Sequence, residues 1–476
     1  MKANVLDHTK RHHRFFEELT RIPHGSYHEA AYGDYLEQFA KDRGYSWKRD
    51  SIGNVVIYRP ASDGYEDHPS VAVQAHMDMV WAKTEDAAVD LEKDPLDLYI
   101  EDGFLKARGT TLGADDGTGV AYILAILDDT SLKLPAIEAV FTVQEEVGLG
   151  GAMAMDPAWI RSKRFISLDC GGGDSIYISS LAGYRGTAKK AFSMEPAAGN
   201  GYQITVSGLK GGYADGYRRE QSNANKLAAR LAYALSQGCG IRLSDISGGD
   251  EENKIARQCQ ITLTTEASEM ELRKAFEAAA ADIQKECGAA EPELSMVLEP
   301  KAVTEQMTKV CSKEILSYLF LFPNGFRHKD IRFPEITSES INWSVSRCEN
   351  GCFTMIYNLR GSSDSRIRNM QNEIGLLSEI HQVELQCENA FPAWEFHDSE
   401  LLHTLQRVFR EVRGKELGLI PVQGGLECGV FAGRYPDMDI LAMGPSGYNV
   451  HTPEEKLDLQ SFDVIYEVFC RFLENL

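Results

Sequence analysis

Three apolar, β-branched runs early in this chain each stop at residues suited to chemistry, and that pattern constrains the fold more than any other feature. Val71-Ala72-Val73-Gln74-Ala75 leads into His76-Met77-Asp78, Ala136–Thr142 into Gln144-Glu145-Glu146, and Arg164–Leu168 into Asp169. Between the first two, Gly113-Ala114-Asp115-Asp116-Gly117 opens a stretch of small and apolar residues, Gly119–Leu127, that reads as a helix. Strand, helix and strand in alternation predict an α/β sheet, in which ligating groups gather beyond the carboxyl ends of the strands.

A chain of 476 residues exceeds the roughly 250–300 residues at which one hydrophobic core stops growing, so at least two domains are expected. The pattern changes after Ser179. Strand-like runs then alternate with helical stretches at Asn223–Ser236 and Glu266–Cys287, an α+β arrangement such as β-α-β-β-α-β. The tail returns to the first pattern, with helix Ser399–Arg413, loop Pro421–Gly429, strand Asp439–Met443 and helix Ser461–Leu473. The expectation is one α/β domain, 1–185 and 393–476, interrupted by a module at 186–392.

Composition narrows the function. The 49 basic and 71 acidic residues give a formal charge of −22, which argues against nucleic acid and acidic membrane surfaces as partners. The N-terminus lacks the apolar core of a secretory signal, and no apolar stretch is long enough to span a bilayer, so a cytoplasmic location is expected. The ten cysteines are expected to be free thiols. Cys348 and Cys352 flank Asn350-Gly351, a hairpin signal.

Some of the chemistry-bearing residues have ordinary explanations when taken singly. A satisfied histidine at a sheet edge accounts for His76-Met77-Asp78, and an acidic helix start accounts for Asp115-Asp116. Glu145-Glu146 is different, because it follows an apolar strand and precedes Val147-Gly148-Leu149-Gly150-Gly151. Paired carboxylates there suit a division of labour, one binding a cation and one accepting a proton. With Asp169 and with His451 in a Gly/Pro-containing loop, the set comprises two histidines and three ligating carboxylates, which match a pair of zinc-like divalent ions. Arg360 is a candidate for a substrate carboxylate, through a bidentate pair, though a surface arginine explains it as well. Glu427 is a candidate for a free amine or a metal-proximal hydrogen bond.

These residues sit in longer strings: Ile22-Pro23-His24-Gly25-Ser26, Gln74-Ala75-His76-Met77-Asp78, Gly109-Thr110-Thr111-Leu112-Gly113-Ala114-Asp115-Asp116-Gly117, Asn223-Ala224-Asn225-Lys226-Leu227, Gly424-Gly425-Leu426-Glu427-Cys428-Gly429, and Gly444-Pro445 leading to His451. Together they resemble the M20 metallopeptidases, in particular the aminoacyl-histidine (Xaa-His) dipeptidase branch. The resemblance implies a zinc-exopeptidase-like catalytic domain with an inserted α+β lid domain, and hydrolysis of dipeptides or short peptides. It assigns His76 and Asp169 to one metal and Glu146 and His451 to the other, with Asp115 bridging beside a cis peptide to Asp116. Asp78 would orient His76, Glu145 would be the general base, and Asn342 would reach substrate from the lid. The cofactor expected is a pair of zinc ions, or manganese or cobalt, and a homodimer through the lid is the partner arrangement implied. Two departures stand out. Tyr213, in Gly211-Gly212-Tyr213-Ala214-Asp215, and Gln423 stand where the pattern has histidine, and neither supplies an imidazolium. They leave two alternatives open: a related aminoacylase or deacylase, and a metal-containing binding protein with weakened catalysis.

Overall fold

A computed structural model describes residues 4–214 and 217–476; Asp215, the last residue of the Tyr213 motif, lies outside the described residues. The chain divides into two compact units. One comprises the chain up to Ser180, Trp394–Val422 and Leu426–Leu476, the other Leu181–Ala393 with Gln423–Gly425.

The first unit is built on an eight-stranded sheet. Its spatial order is Ser46–Arg49, Val55–Arg59, Ile137–Thr142, Val71–His76, Arg164–Ser167, Asp439–Ala442, Ser175–Ser180 and Gly418–Val422. The middle four strands pair in parallel. Val71–His76 and Ile137–Thr142 are buried along their whole length, as parallel strands covered on both faces must be. Each buried Val, Ile or Phe on them stabilises the sheet by roughly 1.5–3 kcal/mol. Because the four are parallel, their carboxyl ends emerge on one edge. His76 ends one, Glu145 and Glu146 follow another, Asp169 a third, and the loop to His451 leaves the fourth.

Helices close the two faces. Ala114–Asp128 is buried on every side from Asp116 to Leu127, which its run of small and branched apolar residues permits. Glu400–Arg413 is amphipathic instead, burying Leu401, Leu402, Leu405, Val408 and Phe409. Ser399 caps it by accepting from the Leu402 N–H at 3.2 Å. Pro421–Gly429, expected to be a loop, contains the end of the Gly418–Val422 strand and the start of the helix Glu427–Arg434. Pro421 obscured the strand; it is tolerated because this strand forms the sheet's edge.

The inserted unit carries a nine-stranded sheet, larger than the β-α-β-β-α-β arrangement expected for it. Its order runs Ser295–Pro300, Asn200–Ser207, Cys259–Thr265, Arg242–Gly248, Thr337–Glu349, Cys352–Gly361, Ala182–Ala191 and Glu384–Phe391, with Gly325–Lys329 also pairing Thr337–Glu349. The helices Ala224–Cys239, Glu269–Cys287, Lys309–Leu321 and Asp364–Ile380 belong to this unit. Asn350 and Gly351, at φ 50° and 74°, turn the chain between the strands Thr337–Glu349 and Cys352–Gly361, as their hairpin signal predicts.

Candidate metal centre

The strand ends bring the five expected ligands into two overlapping groups. His76, Asp115 and Asp169 form one, and Asp115, Glu146 and His451 the other, with the ligand atoms in each lying within 4.8 Å of one another. Asp115 belongs to both, and its two oxygens face opposite ways. Oδ1 lies 3.2 Å from His76 Nε2, and Oδ2 lies 3.4 Å from His451 Nε2. Two ligands on one tetrahedral zinc, with bonds near 2.0–2.1 Å, are about 3.3 Å apart. The spacing therefore suits a cation between each histidine and the shared carboxylate. Glu146 Oε1 is buried without a hydrogen-bond partner, although His451 Nε2 is 2.8 Å away. An orphaned buried carboxylate oxygen facing an imidazole nitrogen is what a cation would satisfy.

Charge points the same way. Burial, then the neighbouring Asp115, pushes the Asp169 carboxyl up to about 7. Burial also drives Glu145 well above the usual carboxylate range, with Asp169, Glu146 and Glu427 adding to the rise while His76 opposes it. The hydrogen bond to Asp115 raises His451 to about 10. Asp169, Glu145 and both imidazoles favour protons, while hydrogen bonds to His451 and His76 hold Asp115 below the usual carboxylate range; a donor set so short of positive charge fits two divalent ions.

Local structure explains how the ligands are aimed. The peptide between Asp115 and Asp116 is cis. Asp115 faces the ligand cluster, whereas buried Asp116 accepts from the Gly119 N–H at 3.1 Å. Gly119 cannot be larger, since a Cβ there would sit 2.5 Å from Asp116 Oδ1 and 2.7 Å from Leu168 Cβ. Gln144, Leu149 and His451 hold left-handed backbone, at φ 56°, 61° and 66°. Such positions persist only where their surroundings over-determine them.

Asp78 does more than the sequence suggests. His76 Nδ1 donates to the Asp78 backbone carbonyl at 2.9 Å, with the Asp78 carboxylate farther off at 3.6 Å. That carboxylate instead accepts from the N–H groups of Glu145, at 3.0 Å, and Glu146, at 3.3 Å, and from the Ser26 hydroxyl at 2.8 Å. It anchors the turn that presents both glutamates. Glu455, unnoticed in the sequence, accepts from the backbone of Leu112, Gly113 and Ala114. Nothing near Glu455 in the chain advertises partners more than 340 residues away. A cavity of about 160 Å³ opens beside the cluster, lined in part by Asp115, Asp169, Tyr177, Pro445 and Val450.

The candidate substrate residues are placed differently. Glu427 belongs to the first unit, buried, its Oε2 accepting from Gln74 at 2.7 Å and Thr142 at 2.6 Å. Burial lifts its pKa to about 8. Arg360, Asn342 and Tyr213 belong to the inserted unit. Arg360 lies on the Cys352–Gly361 strand with its guanidinium 5.4 Å from the Phe391 ring centre. Asn342 is buried, donating to the Lys254 carbonyl and accepting from Asn223. Tyr213 is 64% exposed, with the Lys254 ammonium 5.5 Å from its ring centre.

Comparisons with known proteins agree with this geometry. Peptidase family M20/M25/M40 matches residues 72–475. The cytosol non-specific dipeptidase of Escherichia coli (strain K12) is 29% identical over 469 residues, covering 97% of this chain and 96% of the relative. The crystal structure of aminoacylhistidine dipeptidase from Vibrio alginolyticus superposes with a TM-score of 0.92 at 28% identity, over 100% of this chain and 98% of that one. A tripeptidase from Staphylococcus aureus, at 14% identity and a TM-score of 0.57 over 99% of each chain, shares the fold. The chain belongs to peptidase family M20/M25/M40, and it is a metallopeptidase whose two ligand groups meet at Asp115.

Proposed function

We propose that this peptidase hydrolyses dipeptides, Xaa-His dipeptides among them, in the cytoplasm, with two zinc ions held by His76 and Asp169 and by Glu146 and His451, and bridged by Asp115. The observation that carries the reading is the sharing of Asp115 between two His/carboxylate groups with Glu145 alongside. Two bound divalent ions supply Lewis-acid charge and acidify water at neutral pH.

The chain's own groups do the rest. A Glu145 carboxylate oxygen takes the proton of the water whose oxygen attacks the peptide carbonyl carbon. As the C–N bond breaks, Glu145 returns that proton to the leaving amine nitrogen. Asp78 holds Glu145 and Glu146 by their backbone N–H groups, so that base and ligand keep a fixed separation. In the same reading Arg360 binds the substrate carboxylate, with Asn342 and Tyr213 as further substrate contacts. Glu427, whose pKa burial raises, accepts from Gln74 and Thr142 and serves the free amine or a metal-proximal hydrogen bond. A homodimer formed through the inserted unit is part of the same reading.

The test is a panel of dipeptides, tripeptides and N-acyl amino acids assayed with zinc, manganese and cobalt. Turnover of free-amine dipeptides, including Xaa-His, with little on N-acyl amino acids is the expected result. Preference for N-acyl amino acids would favour a deacylase, and no turnover with any metal would favour a binding protein.

A further inference from the structure

We infer that Glu455 is a positioning residue that locks the bridging Asp115 to the loop carrying His451, so that the two metal sites form as one unit. This rests on the two-ion reading above, and deepens it by naming what fixes the bridge.

Asp115 lies at the start of the helix Ala114–Asp128. The first N–H groups of any helix lack partners within it, and a Ser, Thr, Asp or Asn at the N-cap usually accepts from them. Here Asp115 and Asp116 have non-helical backbone, so the regular helix is capped by Asp116, which accepts from the Gly119 N–H; the N–H groups of Leu112, Gly113 and Ala114 before it need an acceptor that Gly113, with no side chain, does not supply. Nor could a larger residue stand there: its φ is 69°, and a Cβ would meet Met79 Sδ at 2.9 Å. The left-handed Gly113 turns successive N–H groups toward one point, forming an anion-binding nest. Glu455 fills it. Its Oε2 accepts from Leu112 at 2.7 Å and Gly113 at 3.1 Å, and its Oε1 accepts from Ala114 at 2.8 Å. The side chain is 2% exposed, so water does not compete. Asp115 is the next residue after this nest. On the other side, Glu455 is four residues beyond His451, its N–H closing a turn onto the Thr452 carbonyl at 3.1 Å. One carboxylate thus joins two ligand-bearing loops whose ligands face each other at 3.4 Å. A cap supplied from within the helix's own loop would stabilise the helix but would leave the distance between those loops unset.

The test uses the full-length protein with Glu455→Gln, which keeps the shape of the side chain but gives it only one acceptor oxygen. Cobalt is the probe, because its spectrum and magnetic coupling report on bridging. In wild type two cobalt ions bind with exchange coupling through the bridge. In Glu455→Gln, cobalt affinity falls by roughly tenfold or more, the coupling weakens, and kcat falls while KM changes less than twofold. Uncoupled ions in wild type would remove the two-ion reading itself. Coupled ions in wild type together with unchanged affinity and coupling in Glu455→Gln would overturn the role of Glu455. Hydrogen exchange on metal-free wild type needs no variant: the Leu112, Gly113 and Ala114 amides are slow if the clamp exists before metal, and exchange at the rate of open loops would overturn it.

Discussion

Replacing Asp78 with Asn isolates the contribution of one buried carboxylate to the whole centre. The side chain accepts three hydrogen bonds, from the Glu145 and Glu146 N–H groups and from Ser26, and is 1% exposed. An Asn of the same shape must place an NH2 where one oxygen stood. The less costly choice is the Oδ2 position, where the Ser26 hydroxyl can turn to accept. The Glu146 N–H then faces a donor and loses its partner. An unsatisfied buried N–H costs about 1–3 kcal/mol, so about 2 kcal/mol of the energy aiming Glu146 is lost. If all of it falls on metal binding, affinity drops by about 30-fold, within the roughly 10–100-fold seen when groups supporting metal ligands are removed. The assay is zinc affinity measured by chelator competition, with circular dichroism confirming the fold. Zinc affinity within threefold of wild type in a folded Asp78→Asn variant would refute the anchoring argument.

Other perturbations separate the roles. Glu145→Gln should keep its full metal content by elemental analysis while losing roughly 10²–10⁴-fold in kcat, the range for a positioned general base; near-wild-type turnover would remove that role. Chelation should abolish hydrolysis, with zinc, manganese or cobalt restoring it; activity persisting in metal-depleted protein would contradict the mechanism. His12 and His13 bear on acid stability, in metal-free protein. Burial, then His13, pulls His12 down to about 4, and burial lowers His13 as well. Their folded-state pKa values lie below the unfolded value near 6.5, so the unfolded chain binds more protons in between. Stability is then full above pH 6.5 and falls as pH drops toward 4, by about 3 kcal/mol for His12 alone. Denaturant titrations at pH 7 and 4.5 check this, and a flat profile that matches a His12→Gln variant would contradict it.

The α/β class and the meeting of His76, Asp115, Glu146, Asp169 and His451 were legible because parallel strands leave their signature locally. Each is a short apolar run, with His76, Glu146 and Asp169 at or just beyond its end; Asp115, at a helix start, and His451, in a loop, were legible from their glycine- and proline-containing motifs. The cis Asp115-Asp116 peptide was implied by the family resemblance, and the Asn350-Gly351 hairpin followed from turn chemistry. What was hidden depends on distance or on context. Glu455 lies in a polar loop, and its partners approach only when the fold is complete. The strand Gly418–Val422 carries a proline that an inner strand would reject but an edge tolerates. The short helix Glu427–Arg434 contains Gly429 and Gly433, which weaken any helical pattern. Asp78 was noticed for its nearness to His76, yet its carboxylate bonds chiefly to a turn 67 and 68 residues away, which no local pattern encodes.

Anomalous diffraction at the zinc edge from crystals grown with zinc decides whether Asp115 joins two ions. Two peaks about 3.5–4 Å apart are expected, with Asp115 bound to both, His76 on one and His451 on the other. A single peak at the strand ends, or two peaks with Asp115 bound to only one, would contradict this.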